Sequence, residues 1–163
     1  MMEAMKKAAA PDENHALLKP LEGTWNTSMK AWMAPGAEPV VTIGTGERKW
    51  ILGGRFLSET FSGDMMGEKF EGFGVTGYDK ARKMFVATWS DTMGTGIMSS
   101  EGSYDAASKT FTYAWQYKDV MQGDMKGRYT VKIVDDKKHV MEMYMPGPDG
   151  KEMKGFEMTF TKK

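Results

Sequence analysis

A two-residue rhythm constrains this chain more than any other feature. In TFTYAWQY, Phe111, Tyr113, Trp115 and Tyr117 alternate with Thr110, Thr112, Ala114 and Gln116. Successive side chains of a strand point to opposite faces, so this spacing builds one apolar and one polar face. Near the start, Trp25, Thr27, Met29, Ala31 and Met33 oppose Asn26, Ser28 and Lys30. Near the end, Phe156, Met158 and Phe160 alternate with Glu157 and Thr159. The pattern predicts ten strands, at 24–33, 40–50, 55–61, 69–78, 83–90, 96–104, 110–117, 124–134, 139–145 and 152–161. The breaks between them, such as APGAEP, LGG, DTMGT, DAAS and PGPDGK, are small, polar or rich in glycine and proline, as hairpin loops require.

Ten strands in sequence, each with one apolar face, can hide those faces by closing into an antiparallel up-and-down barrel, which also removes the sheet edges. Glycines inside the strands (Gly44, Gly46, Gly72, Gly74, Gly102, Gly127 and Gly155) fit sharp bends or bulges in such a wall. Ahead of the strands, ENHALLKPL places Leu17, Leu18 and Leu21 on one face of a short helix that Pro20 limits. The expected organisation is a flexible tail or short frayed helix over residues 1–12 and a single barrel domain over 13–163, with the helix of ENHALLKPL capping one end.

Composition narrows function mostly by exclusion. Twenty-two basic residues balance 22 acidic ones and lie scattered among them, which is no footprint for nucleic acid or anionic lipid. No cysteine means no disulfide, thiolate chemistry or cysteine-ligated zinc. No apolar run approaches the roughly 18 residues of a membrane helix. MMEAMKKAAAPDENH lacks the apolar core of a signal peptide. The chain is expected to be cytoplasmic, or else periplasmic or secreted as a trimmed precursor.

The segment LEGTWNTSMK carries a first resemblance. A Gly-x-Trp opening the first strand after a short helix resembles the lipocalin and fatty-acid-binding class, in which the tryptophan plugs one barrel end. Gly23 and Trp25 match. The arginine of lipocalins late in the last strand has no match, and only Lys162 and Lys163 lie near. A second resemblance spans nearly the whole chain. ILGGRFLSETFSGDMMGEKFEGFGVTGYD, ATWSDTMGTGIMSSEG and HVMEMYMPGPDGKEMK are similar to a family of uncharacterised bacterial proteins, a domain of unknown function with a lipocalin-like, calycin-type barrel. That resemblance implies the fold and no established activity. Many members carry export signals, and AMKKAAAPDENH resembles the start of mature ones.

Motifs with catalytic or binding associations mostly dissolve into strand and turn. GFGVTG fits a dinucleotide loop by spacing, but it lies within a strand and opens no helix. Asn26-Thr27-Ser28 is a formal glycosylation sequon inside a strand. Asp135-Asp136 reads as a charged hairpin turn, and Asp91 as a cap on the turn DTMGT. Arg55, Leu57, Glu59 and Phe61 share a face. An inward Arg55 would hold a ligand carboxylate, and an outward one would pair with Glu59.

The 17 methionines are the main oddity. Met29, Met33, Met141, Met143 and Met158 fall where an interior is expected, and flexible polarizable thioethers suit varied apolar ligands. Thioether and imidazole also suit Cu(I) or Ag(I), which makes His139, Met141 and Met143 a candidate metal set. His139 is the one candidate for axial ligation of haem, with His15 expected exposed on the cap helix. The leading expectation is non-enzymatic binding of a small apolar or amphipathic molecule, with no cofactor. Trp25, Met29, Arg55, Trp89, Trp115, Met141, Met143, Phe156 and Met158 would line the site. Soft-metal binding is the alternative, with haem binding or an unrecognised enzyme third.

Overall fold

The computed structural model describes all residues 1–163. Two short helices, α1 (Met2–Ala8) and α2 (Glu13–Ala16), and a 3-10 turn (Lys19–Leu21) precede ten strands. These are β1 (Gly23–Ala31), β2 (Val40–Ile51), β3 (Phe56–Met65), β4 (Glu68–Asp79) and β5 (Met84–Asp91). There follow β6 (Met98–Asp105), β7 (Thr110–Asp119), β8 (Gly123–Asp135), β9 (Lys138–Pro146) and β10 (Glu152–Lys162). Each strand pairs antiparallel with the next, and β1 also pairs with β10, so the barrel is closed.

Directly paired residues point to the same face, so burial of Trp25, Thr27 and Met29 fixes the interior all round. Across β2 the inward row is Thr42, Gly44, Gly46, Arg48 and Trp50, and across β3 it is Leu57, Glu59, Phe61 and Gly63. The rhythm of β7 holds fully, with Phe111, Tyr113 and Trp115 all buried. Several inward glycines make room for aromatic rings from the neighbouring strand. A Cβ on Gly72 would lie 2.1 Å from Cζ2 of Trp89, and one on Gly127 would lie 2.7 Å from Cζ2 of Trp115. GFGVTG is thus a slot for Trp89, not a phosphate loop.

One end is sealed. Asp12 caps α2 by accepting the Asn14 N–H at 2.9 Å, while Nδ1 of His15 accepts the Asp12 N–H at 3.1 Å. That reciprocal bond turns His15 inward against Tyr78, so His15 is buried where exposure was expected. Leu18 and Leu21 pack into the barrel end, and Trp25 donates from Nε1 to the Leu21 carbonyl at 2.9 Å. Lys162 stands over the Trp25 ring at 5.5 Å, so a cation does cover the plug tryptophan although no arginine is present.

Several element ends differ from the expected ranges. In the N-terminal segment α1 is a short helix none of whose residues is buried. β3 runs on to Met65 because Gly63 still pairs with Gly44, and only Met66 and Gly67, both at positive φ, make the turn. β1 stops at Ala31, so Met33 lies in the following loop, 77% exposed instead of interior.

Candidate functional site

The middle of the barrel holds a polar cluster. Arg48 on β2 lies directly opposite Glu59 on β3, and its Nε donates to Glu59 Oε2. Its Nη1 reaches across the interior and donates to Nε2 of His139 on β9 at 2.7 Å. His139 lies between two rings, edge-on to Trp25 and stacked on Phe160, with both centroids 4.4 Å away. The guanidinium itself sits 4.5 Å over Phe160. A buried charge is tolerable only when paired and hydrogen-bonded, and Glu59 supplies the opposite charge.

Burial, together with the positive charge of Arg48, pushes the His139 pKa down to about 2. The ring is therefore neutral. With Nε2 accepting from Arg48, the proton sits on Nδ1, which is buried without a partner. On the facing wall Tyr113 and Tyr129 stack at 4.7 Å, and the Tyr129 hydroxyl bonds Ser100 Oγ at 2.9 Å. Burial raises the pKa of both tyrosines, so both stay protonated.

Above this cluster the interior is methionine and aromatic. Met141 on β9, Met158 on β10 and Met29 on β1 are direct cross-strand partners and form a row of three. Met143 pairs with Phe156 one step nearer the open end. Trp89, Asp91, Met98, Tyr117, Met125 and Met143, with Trp115, line a cleft of about 220 Å³ there. Asp91 accepts from Trp89 Nε1 at 2.8 Å and from the Met93 N–H at 2.9 Å, so it caps its turn and fixes the indole. The loops at this end expose Met33, Met66, Met93, Ile97, Val120 and Met121. A larger groove of about 860 Å³ crosses the barrel exterior, past Val75, Val86, Thr88, Ser99 and Ala114. It lies mainly over the outer face of β4–β8 and is only slightly more open to solvent than the cleft.

The expected site residues fare unevenly. Trp25 is the plug of the sealed end, so it supports the chamber from below. Met29, Trp89, Trp115, Met141, Met143, Phe156 and Met158 all face inward, in or beside the open half. Arg55 does not. It precedes β3, and its guanidinium donates to the Leu52 carbonyl at 3.1 Å in the β2–β3 turn. The interior arginine is Arg48, and Glu59 pairs with it instead of with Arg55. One signal was available: Arg48 shares the period-two face of Gly44, Gly46 and Trp50 in IGTGERKW, a row that is otherwise small or aromatic. No group of three or more histidines or carboxylates is placed to hold a metal ion.

The fold is a closed ten-stranded antiparallel barrel, plugged at one end by Trp25 and holding Arg48, Glu59 and His139 in its interior. The chain belongs to the DUF1579 family, described as proteins of unknown function, whose match runs over residues 10–162. No curated protein matches the sequence. Among solved structures, the crystal structure of Rv2717c from M. tuberculosis is similar, with a TM-score of 0.68 at 11% identity, over 94% of this chain and 99% of that one. At that identity the likeness speaks for the fold alone. A redesigned beta barrel matches at 13% identity over 91% of this chain and 94% of its own, with a TM-score of 0.45 that carries no argument. No helix is long and apolar enough to cross a membrane.

Proposed function

We propose that the protein binds a small apolar or amphipathic molecule in the open half of the barrel, without chemistry on it. One contrast carries this reading. At the sealed end Leu18, Trp25, Leu57, Phe85 and Phe111 retain at most 3% of their surface. In the open half Met29, Phe61, Trp115 and Met143 are buried, but the inward-facing Phe70, Trp89, Met98, Met125, Met141, Phe156 and Met158 around them are only half-buried. Inward apolar side chains with uncovered surface line a space that an apolar guest fills favourably. The cleft of about 220 Å³ falls below the roughly 300–1,000 Å³ of sites for drug-sized ligands, which favours a small guest or the end of a longer one.

The geometry around His139 argues against the other readings. Nε2 is occupied by a guanidinium at 2.7 Å, and that fixed positive charge disfavours a metal cation there. With Nε2 held by the guanidinium and Nδ1 buried, neither ring nitrogen opens toward a haem iron. The same bond withholds the nitrogen a general base would use. Titration with the uncharged fluorophore N-phenyl-1-naphthylamine tests the proposal. Saturable one-to-one enhancement, abolished by Met98→Trp in the mouth with the melting temperature preserved, is expected. Emission that rises without saturation, or that Met98→Trp leaves unchanged, refutes the site.

A further inference from the structure

Arg48 and Glu59 point into the barrel, yet their side chains keep 10% and 17% of their surface accessible. Below them the sealed end is closed by residues with almost no exposed surface. Both stand on the inward row, so their free surface opens on the barrel interior, as a polar floor to the apolar lining. A guanidinium carries five N–H donors, and this one spends Nε on Glu59 and one Nη1 proton on His139. Glu59 commits Oε2 and leaves Oε1 without a protein partner. The floor thus offers spare donors beside a spare acceptor. It also carries no net charge, because Arg48 and Glu59 cancel and the other inward polar groups at this level, His139, Tyr113, Tyr129 and Ser100, are neutral. Asp91 is at the rim, and Lys162 lies over Trp25 at the sealed end.

We propose that the chamber selects an uncharged amphipathic molecule, such as an alcohol or a primary amide, whose head group lies on Arg48 and Glu59 while its tail follows Met29, Met141 and Met158 toward the mouth. The inference rests on the ligand-binding reading above and names the class of guest. A hydroxyl or amide both donates and accepts, matching a floor that does both. A carboxylate reaching Arg48 would lie against Glu59, and an ammonium reaching Glu59 would lie against Arg48. Either leaves one charge in a dry interior without a counter-ion.

The test is competition against N-phenyl-1-naphthylamine by octan-1-ol, octanamide, octanoate and octylammonium at neutral pH. One tail length isolates the head group. The alcohol and amide should displace the fluorophore at least about tenfold more effectively than either ion, the minimum expected when an ion is buried unpaired. Glu59→Gln, which leaves Arg48 unneutralised, should move octanoate ahead of octan-1-ol. The wild-type ranking stands as a test even if that variant fails to fold. Octanoate or octylammonium binding the wild type as well as the neutral pair overturns the inference and leaves the ligand-binding reading intact. Failure of all four and of the fluorophore overturns both.

Discussion

Neutral His139 makes the protein acid-sensitive in a window where few other groups titrate. An ordinary histidine in the unfolded chain has a pKa near 6.5, while burial and Arg48 hold the folded one at about 2. Between those values the unfolded state binds a proton that the native state refuses. Stability from this group is therefore fully present above about pH 6.5 and is lost steadily as pH falls toward the folded value. From roughly pH 7 to 5 the loss is about 2 kcal/mol, from about 1.4 kcal/mol per pH unit below the unfolded pKa. For a chain of 163 residues that lowers the melting temperature by about 6 °C. Urea unfolding of wild type and His139→Gln at both pH values isolates the effect. Glutamine retains an acceptor for Arg48 and does not titrate, and every other group cancels in the difference. Wild type should lose about 2 kcal/mol more than the variant over this interval. NMR titration of the wild-type imidazoles gives a second readout, in which one ring stays neutral throughout. Equal losses in the two proteins, or a His139 ring that titrates near 6.5, would refute the assignment of His139 as a buried neutral acceptor.

Two further outcomes follow from the packing. Arg48→Met alone should cost about 3–5 kcal/mol in urea unfolding by stranding Glu59, and Arg48→Met with Glu59→Leu should recover much of it. Arg55→Ala, on the turn, should stay within about 0.5 kcal/mol; a large Arg55 effect with a small Arg48 effect would reverse the assignment of the interior arginine. Gly72→Ala drives a methyl to 2.1 Å from an indole that Asp91 holds in place, and should cost about 1–3 kcal/mol of stability. A melting temperature unchanged by that substitution would mean Trp89 does not occupy the slot.

The barrel was legible because its cause is local. Alternation in TFTYAWQY or FEMTF is a property of consecutive residues, and the turn chemistry between strands is equally local. Strand ends were less legible: SGD reads as loop chemistry, yet Gly63 stays in β3 because Gly44 is available to pair with it. The alternation in HVMEMYM puts Met141 and Met143 on one strand face, which the register turns inward. Their partners were not foreseen, because the row Met141, Met158 and Met29 is assembled across three strands.

The interior arginine shows the boundary most clearly. Arg48 and Arg55 look alike in sequence, since each sits near a Glu and a bulky apolar residue. Which one faces inward depends on where β3 begins and on register with β1 and β2, and a one-residue shift exchanges the faces. His139 likewise reads as an available ligand until closure brings Arg48, 91 positions away in the chain, against its Nε2. By itself the sequence determined ten strands, their closure and the apolar face of each, because those follow from a period repeated along the chain. Only the tertiary structure decided which polar groups meet at the centre, because that depends on contacts between strands distant in sequence.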